Sequence, residues 1–291
     1  MAYLFQQILN ALQLGSIYAL IALGYTMVYG IMTMINFAHG DIFMVGAFLC
    51  FVAATVLGLP FIPALLLSMT GCALLGVVIE RLAYKPLREA PRVSAVITAL
   101  GVGLVLEHLT LVFSPYPRHV PALWSSAAWH VGGVTLSSLQ ALIIVLSILL
   151  MVLLDWLVRR TMLGLAIRAI SWDRTVAALM GVPVDAVISL TFAIGAALGG
   201  AAGFLYALAY PVIDPYMGVM VGWKAFIAAV VGGIGNIRGA MLGGFILGTV
   251  EIMVAAFLPS TYRDLIAFAL LFLLLILKPY GLLGQPRPQK V

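Results

Sequence analysis

Three side chains able to do chemistry stand within six residues in "INFAHGDIFMVG", positions 35–46: the amide of Asn36, the imidazole of His39 and the carboxylate of Asp41. An imidazole beside a carboxylate is material for a proton relay or a metal site. A plainer reading also fits. Asn36 caps the free N–H groups of a helix's first turn, Asp41 in that turn is favoured by the helix dipole, and Gly40 lets another backbone come close. Lining the inner mouth of a pathway is the alternative for this cluster. Two more carboxylates, Glu107 and Glu251, lie inside long apolar stretches, where an acid costs roughly 2.5–3.5 kcal/mol to insert. They either line a polar route or gate, or pair with a neighbour such as His108 or a hydroxyl to fix helix packing. Asn236 joins this candidate set, because "NIRGAMLGGFILG" echoes "NFAHGDIFMVGAF" in running from Asn through Gly into a small-residue helix.

Enzyme signatures are missing from the 291 residues. There is no GxxxxGK[ST] loop, so the chain supplies no P-loop ATPase of its own. "GGIGNIRG" at 232–239 has the wrong spacing for a dinucleotide fingerprint, and neither HExxH nor GxSxG occurs. The four histidines are scattered, which argues against a metal cluster, and no nucleophile accompanies Glu107 and Glu251. No cofactor is expected on this chain.

The elements that must position these groups are membrane spans. Apolar residues make up 64% of the chain and charged residues 9%, against about 25% charged in a soluble domain, and the mean hydropathy is +1.17. Apolar runs long enough to cross about 30 Å of hydrocarbon recur throughout, without the period-2 alternation of a barrel. The expected fold is an all-α polytopic membrane protein of eight or nine transmembrane helices, forming a single transmembrane domain over residues 1–291. The spans fall near 8–30, 38–57, 61–80, 93–113, 139–158, 184–209, 219–234, 239–258 and 263–278, the seventh short and glycine-rich enough to be broken or re-entrant. The N-terminal "MAYLFQQILNALQ" reads as the start of a span and not as a signal peptide. Cys50 and Cys72 both fall in apolar segments, with no disulfide framework to read.

The net charge of +5 comes from loops and not from a nucleic-acid-binding stripe. Arg81, Lys85, Arg88, Arg92, Arg159, Arg160, Arg168, Arg174, Arg238, Lys278, Arg287 and Lys290 fall on one side. Arg118, Lys224 and Arg263 fall on the other. Twelve against three places the C-terminus in the cytoplasm, and the N-terminus outside if there are nine crossings. The outer loop, 114–138, carries Trp124 and Trp129 for the membrane–water boundary. The inner stretch, 159–182, is too polar to span. It has helical spacing, with Leu165, Ala169, Trp172 and Val176 on one stripe and Arg168 and Asp173 on other faces, and a stop signal at Gly181 and Pro183. One short helix along the cytoplasmic surface is the simplest account. Gly195, Gly199 and Gly203, and again Gly239 and Gly243, repeat every four residues as helix-packing ridges.

Four ordered segments resemble one family. They are "NFAHGDIFMVGAF" (36–48), "GLAIRAISWDRTVAALMGV" (164–182), "VVGGIGNIRGAMLGGFILGTVE" (230–251) and "LPSTYRDLIAFALLFLLLILKPYGLLG" (258–284). They are similar to the permease subunits of branched-chain amino-acid ABC importers, and the lack of a long hydrophilic N-terminal extension looks like the smaller of that family's two permeases. The resemblance implies that a coupling segment, about 161–182, docks on a separate ATPase, with Arg168, Ala169, Asp173, Arg174, Ala177 and Gly181 at matching positions. It implies two ABC ATPase subunits that bind ATP and magnesium, a second related permease and an extracytoplasmic amino-acid-binding protein as partners, in a bacterial-type inner membrane. Rivals are a permease of the same superfamily for urea, other small amides or sugars, an autonomous secondary transporter or channel, and an intramembrane enzyme.

Overall fold

In the computed structural model, which describes residues 2–125 and 127–284, the chain is a bundle of helices with four short strands at one end. Arg287 and Lys290, counted above as inner charges, lie outside the described residues. The helices are α1 (Ala2–Met32), α2 (His39–Thr55), α3 (Phe61–Ile79), α4 (Arg92–Phe113), α5 (Ser138–Arg160), α6 (Met162–Trp172), α7 (Arg174–Leu179), α8 (Val184–Ala209), α9 (Met217–Gly232), α10 (Ile237–Phe257) and α11 (Tyr262–Leu277). Helix α3 runs on through a π-type turn, Glu80–Tyr84, and one 3-10 turn, Lys85–Leu87. Among the described residues, α1, α3, α4, α5, α8 and α10 are long and apolar enough to cross a membrane, so the chain is a mostly helical, multi-pass membrane protein. Helices α2, α9 and α11, of 17, 16 and 16 residues, reach only about 24–26 Å each.

Helix α1 is the axis. It is buried along most of its length and packs against α10, α8 and α9, while α8 in turn packs on α2 and α3. Small residues make these contacts possible. A methyl group on Gly203 would strike the Phe43 carbonyl of α2, and one on Gly243 would strike the Ala228 carbonyl of α9. Gly195 faces Gly24, Gly199 faces the His39 ring, and Gly239 faces Gly232.

Two expectations need correcting. The inner surface helix is two helices. Asp173 is extended (φ −152°, ψ 110°), ends α6, and caps α7 by accepting from the N–H groups of Thr175 and Val176 at 2.9 and 3.1 Å. A short acidic side chain at that point competes with the helix for its own backbone. The outer loop is also partly ordered as strands. β2 (Ala128–Val131) and β3 (Val134–Ser137) pair antiparallel around Gly132 and Gly133, both at positive φ, as a two-residue hairpin of matching twist requires. β1 (Arg118–His119) pairs with β4 (Val212–Ile213), tying the segment after α4 to the segment after α8.

Candidate functional site

The chain breaks between α1 and α2, with Thr33 at φ 55°, and the polar cluster singled out by sequence follows this break. Asn36 does not cap α2. That position is Ala38, with no side-chain cap bond, and Asn36 Oδ1 instead accepts from the Tyr84 hydroxyl at 2.8 Å. The break turns Asn36 toward the end of α3. His39 fills the space left by Gly24 on α1 and Gly199 on α8 and meets the Tyr25 ring edge-on at 4.9 Å between centroids.

Asp41 does lie in the first turn of α2, but that turn is packed among other helices. Its carboxylate lies against Gly103 of α4 and Gly218 of α9, and its side chain meets that of Glu107. Gly103 is about 16 Å along α4 from Arg92, so α2 begins well inside the bundle. The N-termini of α2 and α9 converge here, because Gly40 touches the backbone of Gly218 and Gly222. Asp41 and Glu107 line a cavity of about 380 Å³ with Phe37, Leu100, Leu104 and Trp223.

Glu251 belongs to a second cavity, of about 700 Å³, at the strand end of the bundle. Its Oε1 takes the Lys224 ammonium at 2.8 Å and its Oε2 accepts from the Tyr18 hydroxyl at 2.7 Å. Lys224 also pairs with Asp264 at 2.9 Å. Tyr206, Tyr210, Gln7, Asn10 and Arg263 complete the wall. Glu107 and Glu251 thus lie in separate cavities. The pairing suggested with His108 is not made, since His108 Nδ1 lies 2.8 Å from the Leu104 carbonyl. Lys224, counted among loop charges, sits on α9 with its side chain mostly buried.

This pair makes a measurable prediction. Lys224→Met leaves Glu251 buried without its cation, and breaking such a pair costs about 3 kcal/mol or more, whereas Glu251→Gln keeps a partner for Tyr18 and is expected to cost less. Thermal unfolding of the two purified variants compares them, and equal shifts would remove the ion pair as a stabilising element.

The remaining predicted residues are held locally. Asn236 caps α10, accepting from Arg238 and Gly239 N–H at 3.1 and 3.2 Å and donating to the Leu283 carbonyl at 2.8 Å. Arg168 donates back to the Val158 carbonyl near the C-terminus of α5, where a cation is favoured by the dipole. Ala177 is buried and Ala169 half-buried. Arg174 reaches Met32 Sδ at 3.4 Å, and burial, followed by the like charge of Arg88, holds its guanidinium below the ordinary range. Gly181 ends the segment at φ 83°. Sequence reasoning passed over Glu80. It is fully buried, paired with Arg88, and accepts from the Ser189 hydroxyl at 2.6 Å. Arg88 also pairs with Asp185, which Lys85 meets at 2.7 Å. An acid followed closely by Lys85 and Arg88 was the available signal.

The architecture is that of a multi-pass helical protein with charged groups housed between its helices. The family described as "Branched-chain amino acid transport system / permease component" matches residues 7–275, and the chain belongs to it. It is 42% identical to the high-affinity branched-chain amino acid transport system permease protein LivH of Salmonella typhimurium, covering 99% of this chain and 98% of that one. It is 42% identical to the corresponding permease protein BraD of Pseudomonas aeruginosa, covering 98% and 97%. Among solved structures, PsaBC from Streptococcus pneumoniae in complex with Fab has a chain that superposes with a TM-score of 0.50 at 13% identity, covering 96% of this chain and 93% of that one, a likeness of fold.

Proposed function

We propose that the chain is the membrane-spanning permease subunit of an ATP-driven importer for branched-chain amino acids, supplying part of the translocation path and coupling it to separate ATPase subunits. The observation that carries this is the family match across residues 7–275 together with full-length relatives named as branched-chain amino acid permeases. The α6–α7 segment supports the coupling role. Its inner face is fixed by Ile167, Ile170 and Ala177, while Leu165, Trp172, Val176, Leu179 and Met180 stand exposed, a patch of the kind that marks a protein contact.

In this reading residues 1–291 form one permease domain crossing the inner membrane eight or nine times, with the coupling segment and C-terminus in the cytoplasm. ATP and magnesium act on two partner ATPases. An extracytoplasmic binding protein delivers the amino acid, and the path runs between this chain and a second permease. The test is to purify the tagged chain from native membranes in mild detergent and identify its companions by mass spectrometry. P-loop ATPases and a second permease are expected. A chain that comes out alone and transports leucine in vesicles without ATP overturns the reading.

A further inference from the structure

The cavity between α2, α4 and α9 holds two buried carboxyl groups in contact with each other. Asp41 and Glu107 are 6% and 7% exposed, yet Asp41 Oδ1 has no hydrogen-bond partner and lies against Gly218 on the cavity wall. Among the described residues that line the cavity, none is cationic. Two adjacent carboxylates in so buried a place are costly unless they share a proton or a positive charge sits with them. The first turn of α2 offsets part of that cost for Asp41 but leaves its free oxygen unsatisfied.

The other walls suit the same guest. Phe37 and Trp223 stack as a tilted pair with ring centroids 5.4 Å apart, and aromatic faces attract cations. Leu100 and Leu104 are exposed at the mouth and offer apolar contact. A volume of about 380 Å³ is within the range of small-molecule sites. Acid pair, rings and leucines together describe a group with an ammonium at one end and a branched hydrocarbon at the other.

We propose that this cavity binds the α-ammonium group of an apolar amino acid in passage, with Asp41 and Glu107 as its anionic partners, Phe37 and Trp223 facing the cation, and Leu100 and Leu104 against the side chain. The substrate class rests on the importer reading above, while the ammonium chemistry rests on the cavity.

The test titrates the chain, purified with its companion subunits into nanodiscs, with 3-methylbutylammonium chloride and follows tryptophan fluorescence. A saturable change is expected that Trp223→Phe abolishes. Ammonium chloride and sodium 3-methylbutanoate at equal ionic strength should not reproduce it. Asp41→Asn and Glu107→Gln are each expected to weaken binding about tenfold or more. Leu104→Lys, at an exposed position, should block the cavity with its own ammonium and leave the elution profile of the complex unchanged. Unaltered affinity in both carboxylate variants, or an equal response to ammonium chloride, overturns the proposal. If leucine uptake proceeds with ATP but the amine does not bind, the cavity assignment fails and the importer reading stands. If the amine binds as described and no ATP-dependent leucine uptake occurs, the importer reading fails and the ammonium site stands.

Discussion

Glu80→Ala is expected to cost about 3–5 kcal/mol of stability, the usual penalty for removing one member of a buried ion pair. The glutamate has no exposed surface. It holds the Arg88 guanidinium and the Ser189 hydroxyl, and through Arg88 it is linked to Asp185 at the start of α8. The substitution leaves Arg88, itself largely buried, with Asp185 as its remaining carboxylate partner. It also loosens the π-type turn that carries Tyr84 to Asn36, so the damage extends to the entry of α2. Lys85→Ala removes only a half-exposed partner of Asp185, and such pairs are worth about 1 kcal/mol or less. Thermal unfolding of both variants in one detergent decides the matter. Equal midpoints would mean that the buried pair contributes nothing beyond a surface one.

Trp172→Glu is expected to weaken association with the ATPase by about 2 kcal/mol, close to thirtyfold, while membrane insertion is unchanged. Trp172 is 74% exposed at the junction of α6 and α7, the bend fixed by Asp173. An exposed tryptophan amid apolar neighbours is the residue type that dominates protein interfaces, and a carboxylate there would have to be buried against the partner. Arg168→Glu tests a different link, because Arg168 is tied back to α5. Its loss should shift the placement of the whole segment and lower stability together with association. Co-purification of the ATPase with Trp172→Glu at the wild-type ratio would remove α6–α7 as the docking surface.

The nine apolar segments were legible because their signal is local: each reads as a continuous hydrophobic run, and the observed helices agree with them to within about six residues at each end. What stayed hidden depends on partners distant in the chain. Asn36 has the form of a cap, but a break at Thr33 turned it toward Tyr84, 48 residues on. Asp41 and Glu107 read as members of separate segments, and nothing local reveals that α2 and α4 bring them to one cavity. Lys224 looked like a topology signal when in fact it neutralises Glu251. The hairpin at Gly132 and Gly133 did have a local signal, a glycine pair between β-branched residues, which the prolines and tryptophans upstream obscured. The family motifs carried function where geometry alone did not, since they mark whole segments without saying what each side chain touches.

The burial of α1 sets a problem of timing. It leaves the ribosome well before its neighbours α8, α9 and α10, the last of them ending at Phe257. At about 5–20 residues per second, α1 waits roughly 10–45 s before its full packing surface exists. During that wait Tyr18 lacks Glu251, and Gln6 and Asn10 gain Thr135 and Gln140 only about midway through it. Full packing of α1 therefore waits on the C-terminal third of the chain, and slowed synthesis of that third is expected to lengthen the interval in which α1 lacks its partners.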